Sequence, residues 1–339
     1  MNKEIHGEVK SMKKALASVR NYEIDIEIHQ SITSLLKDVD YFAGVKVDES
    51  TINCPFKDSK IDQAQIQVPI ANRHQVPTRR SIDNTKLKLR KKLKIEQNGR
   101  RMETTGCAIL SNGNLLFADN AGKNVMMEYN KDGRLIRDIP VSAKPWNMTV
   151  IGTDQVAVSY DTLNYIDIID LKKIIVMKTV TLKNNFWGIS YSNGKIYVVV
   201  YCVGIVVLDI DGTVLNTIKC DKLAFNIASI EDKIYYTVPF ASTVKCCTTT
   251  GNNIWNFKDT SHVTPRGIAT DSANNVFVLG LHSNNLMILQ DDGTVSKILL
   301  TKADGLNKPT RLYYNKETNI LLVCNTQDGT AFLYSVLFY

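Results

Sequence analysis

The sequence predicts an all-β fold, a six-bladed β-propeller, that follows an N-terminal α-helical segment. Three observations predict the propeller. The chain repeats itself six times with a period close to 40 residues, each repeat contains short apolar segments, and turn dipeptides separate those segments. A period near 40 with four strands in each unit is typical of propeller blades, which pack side by side around a central channel.

The repeats align at one matched position near the start of each unit. The intervals between successive matched positions are 39, 41, 38, 41 and 44 residues. The positions are Cys107, Trp146, Trp187, Phe225, Arg266 and Thr310. Pairs such as Asn112 with Gly113, and Asp211 with Gly212, predict hairpin turns within the units, because glycine adopts the positive φ of these turns without a steric penalty.

The sixth repeat provides three strands, and the fourth is predicted upstream at residues 86–97, as the closing strand of the last blade. Apolar residues at positions 87, 89, 93 and 95 alternate there with basic ones. A strand in this place would pair with the open edge of the sixth sheet and close the ring. The basic side chains have a second interpretation, nuclear import or contact with phosphates, and both roles stay open. These side chains are Lys88, Arg90, Lys92 and Lys94.

The propeller is predicted to span residues 86–339. The chain before it divides into two segments. Residues 1–42 are predicted to be helical, because apolar residues there are spaced alternately by four and three. They are Ile5, Val9, Met12, Leu16 and Val19. This is the heptad of a coiled coil, which would make residues 1–40 a homodimer contact, and a short amphipathic helix is the alternative. Residues 43–85 are polar and interrupted by prolines, which predicts an extended linker.

The net charge of +7 is concentrated in one short stretch. Residues 72–101 contain 11 basic and 2 acidic residues, whereas residues 102–339 contain 21 of each. Binding to nucleic acid depends on clustered positive charge, so a propeller with no net charge offers little attraction for phosphates. We therefore expect a protein partner, with RNA as the alternative.

Cysteine usage and hydropathy bear on the cellular compartment. The chain has seven cysteines, an odd number, and no two of them are spaced as C-x-x-C. That pattern is typical of a reduced, intracellular protein. The longest apolar run, residues 196–208, is much shorter than the roughly 20 residues of a membrane-spanning helix. We expect a cytoplasmic protein, with the nucleus as the alternative and no membrane partner.

No residue pattern predicts catalysis. Enzymes built on six-bladed propellers need a central metal, and the two histidines of the propeller, His262 and His282, occupy non-matching positions of their repeats. The aspartates and asparagines that could supply oxygen ligands are also ordinary turn residues. We therefore expect a chain that is not an enzyme, with no catalytic residue, no metal and no cofactor.

Four segments of the repeats resemble the NHL-type propeller of invertebrate tripartite-motif proteins. They are residues 105–113, 144–146, 265–271 and 300–309. The resemblance covers residues 86–339, and residues 1–42 are similar to the end of that family's coiled coil. It implies recognition of a protein partner, as a non-catalytic adaptor for ubiquitination substrates, or RNA binding by the same surface.

The same family places zinc-binding RING and B-box modules before the coiled coil, and this sequence departs from that pattern. The first 100 residues contain one cysteine, Cys54, and three histidines, His6, His29 and His74. These four residues lack the paired spacing of a zinc site. A further alternative is therefore that this chain is part of a ubiquitin ligase whose RING lies elsewhere.

One face of the propeller is the expected binding surface. The loops that precede the first strand of each blade, and those that join the second and third strands, open on this face. Aromatic and arginine side chains are the ones that dominate interface energies. The candidates are Trp146, Trp187, Phe225, Arg266, Arg311, Tyr160, Tyr201 and His282. The competing interpretation is that Trp146 and Trp187 only wedge between neighbouring blades.

Overall fold

The structure is a computed structural model that describes residues 81–95, 103–121, 124–160, 163–261 and 263–338. The predicted helical segment at 1–42 lies outside the described residues, and so does the predicted linker as far as residue 80. Among the described residues, no helix has the length and apolar character needed to cross a membrane.

The described chain forms six antiparallel sheets of four strands each, numbered here as blades 1 to 6. Blade 1 contains β2 Thr104–Ile109, β3 Leu115–Asp119, β4 Val125–Tyr129 and β5 Leu135–Pro140. Blade 2 contains β6 Pro145–Val150, β7 Gln155–Tyr160, β8 Tyr165–Asp170 and β9 Ile175–Thr181. Blade 3 contains β10 Phe186–Ser192, β11 Lys195–Val200, β12 Gly204–Asp209 and β13 Val214–Ile218.

The last three blades repeat this plan. Blade 4 contains β14 Ile227–Ile230, β15 Lys233–Val238, β16 Thr243–Thr248 and β17 Asn253–Lys258. Blade 5 contains β18 Pro265–Thr270, β19 Val276–Gly280, β20 Asn285–Leu289 and β21 Ser296–Leu300. Blade 6 contains β22 Pro309–Asn315, β23 Ile320–Asn325, β24 Thr330–Leu337 and β1 Lys86–Lys94. Two short 3₁₀ turns, Pro239–Ala241 and Lys302–Asp304, lie in connecting loops.

The first strands of the blades make a closed ring. Each contacts the first strand of the next blade, and β22 of blade 6 returns to β2 of blade 1. The two middle strands of a blade are buried on both faces against neighbouring blades, which explains their continuous apolar runs, as in β11 and β12. The outermost strand, such as β13, is mostly exposed. The predicted six-bladed propeller is confirmed.

The ring is closed by β1, which pairs antiparallel with β24. The register places Leu87 opposite Val336 and Leu93 opposite Ala331, and it shifts by one residue at Arg90. Such a bulge reverses which face the following side chains point to, because side chains alternate along a strand. The single apolar face expected from the alternating sequence is therefore divided between the two sides of blade 6.

The two halves of β1 pack in different cores. Leu87 packs with the core between blades 5 and 6, whereas Leu93 and Ile95 belong to the core between blades 6 and 1. Leu89, immediately before the bulge, is 51% exposed. Each half of the strand therefore contributes apolar burial to a different blade interface.

The basic side chains of β1 contact the blade that the strand completes. Arg90 Nε donates to Ser335 Oγ, and Lys94 Nζ donates to the carbonyl of Asp328. Lys92 Nζ lies 5.7 Å from the centre of the Phe332 ring. Lys88 is exposed. These contacts give three of the four basic residues a role in holding the closing strand.

The first strands approach one another so closely that blade 3 requires a glycine near its start. A β-carbon at Gly188 would lie 2.8 Å from Asn226 Cα and 2.9 Å from the Phe225 carbonyl oxygen, and backbone atoms cannot easily move away. We expect Gly188→Ala to lower the free energy of unfolding by about 1–3 kcal/mol, through overpacking. Urea denaturation measures this change.

The matched control for that substitution is Gly152→Ala. A β-carbon there would meet only side-chain atoms of Gln155, at 3.7 Å or more. The control is expected to change the free energy of unfolding by about 0.5 kcal/mol or less. Equal effects of the two substitutions would contradict the close approach of β10 to the start of blade 4.

Candidate functional site

One end of the central channel is formed where the first strands begin, and we call this end the upper face. In five of the six blades the pairing of the first strand with the second is irregular immediately after its first residue. The irregularities lie at Thr104/Gly106, Pro145/Asn147, Phe186/Ile189, Pro265/Ile268 and Pro309/Arg311. A bulge bends a strand and redirects the side chain at that position. Trp146, Trp187 and Arg266 all lie within these irregular steps.

Three aromatic side chains from successive blades meet at the upper face. The ring centres of Trp146 and Trp187 are 5.7 Å apart, those of Trp187 and Phe225 are 5.3 Å apart, and those of Trp146 and Phe225 are 6.4 Å apart. Tyr201 extends the group, with its ring centre 6.3 Å from that of Trp187. These distances are those of favourable aromatic pairs. The rings therefore form one cluster, and Trp187 also packs against the core between blades 3 and 4.

Two arginines from blades 5 and 6 lie against this cluster. The Arg266 guanidinium carbon is 4.1 Å from the centre of the Phe225 ring. The Arg311 guanidinium carbon is 5.5 Å from the same centre and 5.7 Å from that of Trp146. All three distances fall within the range of cation–π attraction. We call Trp146, Trp187, Phe225, Arg266 and Arg311 together the arginine–aromatic cluster.

Neither guanidinium group forms an ion pair with an acidic residue among the described residues. The ion pairs in the part of the chain that the structure describes all join other residues. Arg311 is only 4% exposed, and its side chain donates to the backbone carbonyls of Thr105 and Thr310. Burial, together with the nearby charge of Arg266, lowers the pKa of Arg311 to about 10. Burial also lowers the pKa of Arg266. Arg311 therefore still carries its charge at neutral pH.

Two hydrogen-bond donors of the cluster are buried without a partner among the described residues. They are Trp146 Nε1 and Arg266 Nε. Both residues line a cavity of about 280 Å³ at the upper face, which Arg311, Glu103 and Lys308 also line. Leaving a buried donor unsatisfied costs about 1–3 kcal/mol. The cavity is therefore lined by two residues with unsatisfied, buried donors, by three cationic side chains and by the acidic Glu103.

The structure places the other predicted site residues in different surroundings. Tyr160 is fully buried and its hydroxyl donates to Asp167 Oδ2 at 2.8 Å, so it does not reach the upper face. Burial, followed by the hydrogen bond to Asp167, raises the pKa of the Tyr160 phenol. Tyr201 is 42% exposed. His282 is exposed at the cavity, with Nδ1 2.8 Å from Thr264 Oγ1.

Except for Tyr201, the exposed apolar side chains on the upper face were missed by the sequence analysis. The most exposed is Phe240, at 83%, in the loop between β15 and β16. Others lie in the loop between β11 and β12 and in the loops that precede blades 4 and 5, and we call the set the apolar arc. It consists of Tyr201, Val203, Leu223, Phe240 and Val263. The available signal was Pro239 followed by Phe240, an aromatic residue in a loop that is mostly polar in blades 1, 2 and 6.

The opposite end of the channel holds a second, more polar cavity. Its volume is about 470 Å³, and all six first strands line it. Asn147 Nδ2 donates to Asn226 Oδ1 at 3.3 Å across the channel, and the hydroxyls of Ser190 and Ser229 are 3.0 Å apart. Within the described part of the chain, no three His, Cys, Asp or Glu side chains are grouped as a metal site.

Comparison with protein families finds no match to this chain, and comparison with curated proteins finds none. Solved structures do match. Virginiamycin B lyase from Staphylococcus aureus is 14% identical with a TM-score of 0.56, and the match covers 75% of this chain and 100% of that one. A structural genomics protein of unknown function from Bacteroides thetaiotaomicron is 10% identical with a TM-score of 0.60, covering 75% and 76%.

A streptogramin B lyase is similar to the same extent. It is 13% identical with a TM-score of 0.55, and the match covers 75% of this chain and 98% of that one. What these proteins share with the chain is the propeller fold. Identities this low show the fold alone, because a propeller supports many unrelated functions through its loops.

Proposed function

We propose that this chain is a non-catalytic recognition module that binds a protein partner through the upper face. The observation that carries the proposal is the combination found there: an exposed apolar arc beside an arginine–aromatic cluster with unused donors. Buried aromatic and arginine anchors surrounded by a further contact rim are the arrangement that dominates protein–protein binding energies. The apolar arc also gives the partner a surface to bury, and exposed apolar patches of this kind often mark interaction sites.

A protein partner is favoured over RNA by the distribution of charge. The propeller carries equal numbers of basic and acidic residues, 21 each over residues 102–339. Three of the four basic side chains of β1 contact blade 6. RNA binding relies on many contacts between cations and phosphates, and among the described residues the upper cavity has only Arg266, Arg311 and Lys308 as cations other than histidine.

The resemblance to tripartite-motif proteins supports the same proposal and adds a finer one. In that family the propeller selects the partner, so an adaptor for ubiquitination substrates is the finer role, with pairing of chains through residues 1–40. The lyase activities named for the similar solved structures are not extended to this chain, because identities of 13% and 14% carry only the fold.

A photoreactive amino acid placed on each end of the propeller tests the proposal. We expect a benzoylphenylalanine at Phe240, and another at Tyr201, to cross-link the same protein in cell extract. Both positions lie in the apolar arc and are exposed. The adducts, identified by mass spectrometry, should resist ribonuclease.

The control position is Lys172, which is exposed in the turn between β8 and β9 at the opposite end. It should yield no adduct with that protein. Equal cross-linking from Lys172, or adducts with RNA only, would contradict protein recognition by the upper face.

A further inference from the structure

The arginine–aromatic cluster holds two positive charges that are only partly balanced within the described residues. Two guanidinium groups lie against the same Phe225 ring, and neither forms an ion pair with an acidic residue among the described residues. A buried charge is costly unless it is paired, so such groups are normally matched by a counter-charge. Glu103, which lines the same cavity, interacts electrostatically with Arg311 but forms no ion pair with it, so one carboxylate beside two guanidinium groups leaves charge for a further anion.

We infer that the upper cavity binds a single carboxylate supplied by the partner, an aspartate or glutamate side chain of an acidic peptide segment. This inference rests on the proposed function and names the chemistry that the upper face recognises. The carboxylate would lie between the Arg266 and Arg311 guanidinium groups and accept hydrogen bonds from both. Trp146, whose ring lies against Arg311, lines the same cavity.

The donors fit the shape and needs of a carboxylate. A guanidinium carries five N–H groups in a rigid plane, and a carboxylate has two oxygens that accept about four hydrogen bonds. Two N–H groups of Arg311 donate to the carbonyls of Thr105 and Thr310, which fixes the guanidinium plane and leaves its other N–H groups free. Arg266 Nε has no partner within the described chain, and the Phe225 ring supports one side of its guanidinium. The site is therefore held in place before the ligand arrives, which lowers the entropy cost of binding.

The surroundings favour one carboxylate over the repeated phosphates of a nucleic acid. Glu103 lines the same cavity and repels any anion that enters it, so the two arginines have charge for one carboxylate and not for a run of phosphates. Beyond the cavity the upper face continues as the apolar arc, and exposed lysines such as Lys144, Lys183 and Lys222 lie in the loops around it. A peptide in which an acidic residue is followed by apolar ones matches both features.

The test uses tryptophan fluorescence of the full chain, because two of its three tryptophans, Trp146 and Trp187, belong to the cluster. The probe is the acetylated, amidated tripeptide Ala-Glu-Ala, and its isosteric control is Ala-Gln-Ala. We expect a saturable change with the glutamate peptide at millimolar concentration or below, and a response at least tenfold weaker with the glutamine peptide. A single well-placed carboxylate is sufficient for an affinity in this range.

Arg266 provides the decisive variant, because its side chain donates no hydrogen bond within the described part of the chain. Arg266→Met should weaken binding of the glutamate peptide by about 10- to 100-fold, the effect of losing a hydrogen bond between charged groups. Its urea midpoint should equal or exceed that of the unchanged protein, since the substitution removes repulsion with Arg311. Arg134→Met, at an exposed arginine in the turn between β4 and β5, should bind the peptide normally.

Each result decides for or against the carboxylate. A flat titration with the glutamate peptide up to about 10 mM, an equal response to both peptides, or an unchanged response in Arg266→Met would overturn the inference. Fluorescence changes with oligouridine instead of the peptide, weakening steeply with salt, would also overturn it and favour RNA.

The failure of this inference and that of the proposed function give different results. If Arg266→Met keeps the cross-links from Tyr201 and Phe240 and the two peptides are not distinguished, the upper face binds protein without a carboxylate. If those cross-links never form, protein recognition fails, whatever the peptides do.

Discussion

Replacing Phe225 by Ala is expected to lower the free energy of unfolding by about 3–5 kcal/mol and to abolish the response to the glutamate peptide. The ring is buried, packs against Trp187 and Trp146, and supports the Arg266 guanidinium. Its removal leaves a cavity at the centre of the cluster, and both guanidinium groups lose their shared contact. Urea denaturation and the tryptophan titration measure the two effects.

The same substitution at another phenylalanine of the upper face separates binding from stability. Phe240 is 83% exposed, so Phe240→Ala should change the free energy of unfolding by about 0.5 kcal/mol or less. It should leave the tripeptide response unchanged and reduce cross-linking of the partner from Tyr201. A large loss of stability in Phe240→Ala, or a stable Phe225→Ala protein that still responds to the peptide, would contradict the division between cluster and arc.

Replacing Leu93 by Ala is expected to lower the free energy of unfolding by about 2–5 kcal/mol. Leu93 is buried in the core between blades 6 and 1, where it packs with residues of β3 and β24 such as Phe117 and Leu333. Its loss weakens the contact that holds the two ends of the propeller together. Urea denaturation measures the change, and limited proteolysis should cut the variant faster near β1.

The matched control lies on the same strand. Leu89 is half exposed at the bulge, so Leu89→Ala should cost about 0.5 kcal/mol or less. The sequence pattern alone gives the two leucines the same place in one apolar face. If both substitutions had the same effect, the bulge at Arg90 and the division of β1 between two cores would be contradicted.

These predictions distinguish two kinds of residue on one face. Phe225 and Arg311 are buried and hold the geometry of the cluster, whereas Phe240 and Tyr201 are exposed and are available to a partner. A recognition surface needs both, because anchors bind well only when their supporting residues are fixed and water is excluded around them. Arg266 stands between the two groups, half-buried and with a donor unused.

The number of blades could be predicted from the sequence because it depends on local signals. Each repeat carries its own turn residues and apolar strands, so the period near 40 is visible without knowledge of distant contacts. Trp146, Trp187, Phe225 and Arg266 occupy the matched position of their repeats, and Arg311 directly follows it in the last repeat. Matched positions of a propeller lie at the same height in every blade.

Side-chain directions could not be predicted, because they depend on the pairing register. A single bulge at Arg90 turned the later half of β1 toward the opposite core, and no turn residue marks it in the sequence. Tyr160 is the last residue of β7, and Tyr201 directly follows β11, the equivalent strand of the next blade. The Tyr160 hydroxyl donates to Asp167 inside the protein, whereas Tyr201 is exposed. A hydrogen bond to a residue on a neighbouring strand decided that difference.

The sequence by itself determined six blades and their order. Only the tertiary structure decided that the two arginines form no ion pair with an acidic residue among the described residues, that Tyr160 is buried and that Phe240 is exposed. The physical reason is that repeats and turns are properties of short segments, whereas burial and charge pairing depend on residues from different blades that meet only after the ring has closed.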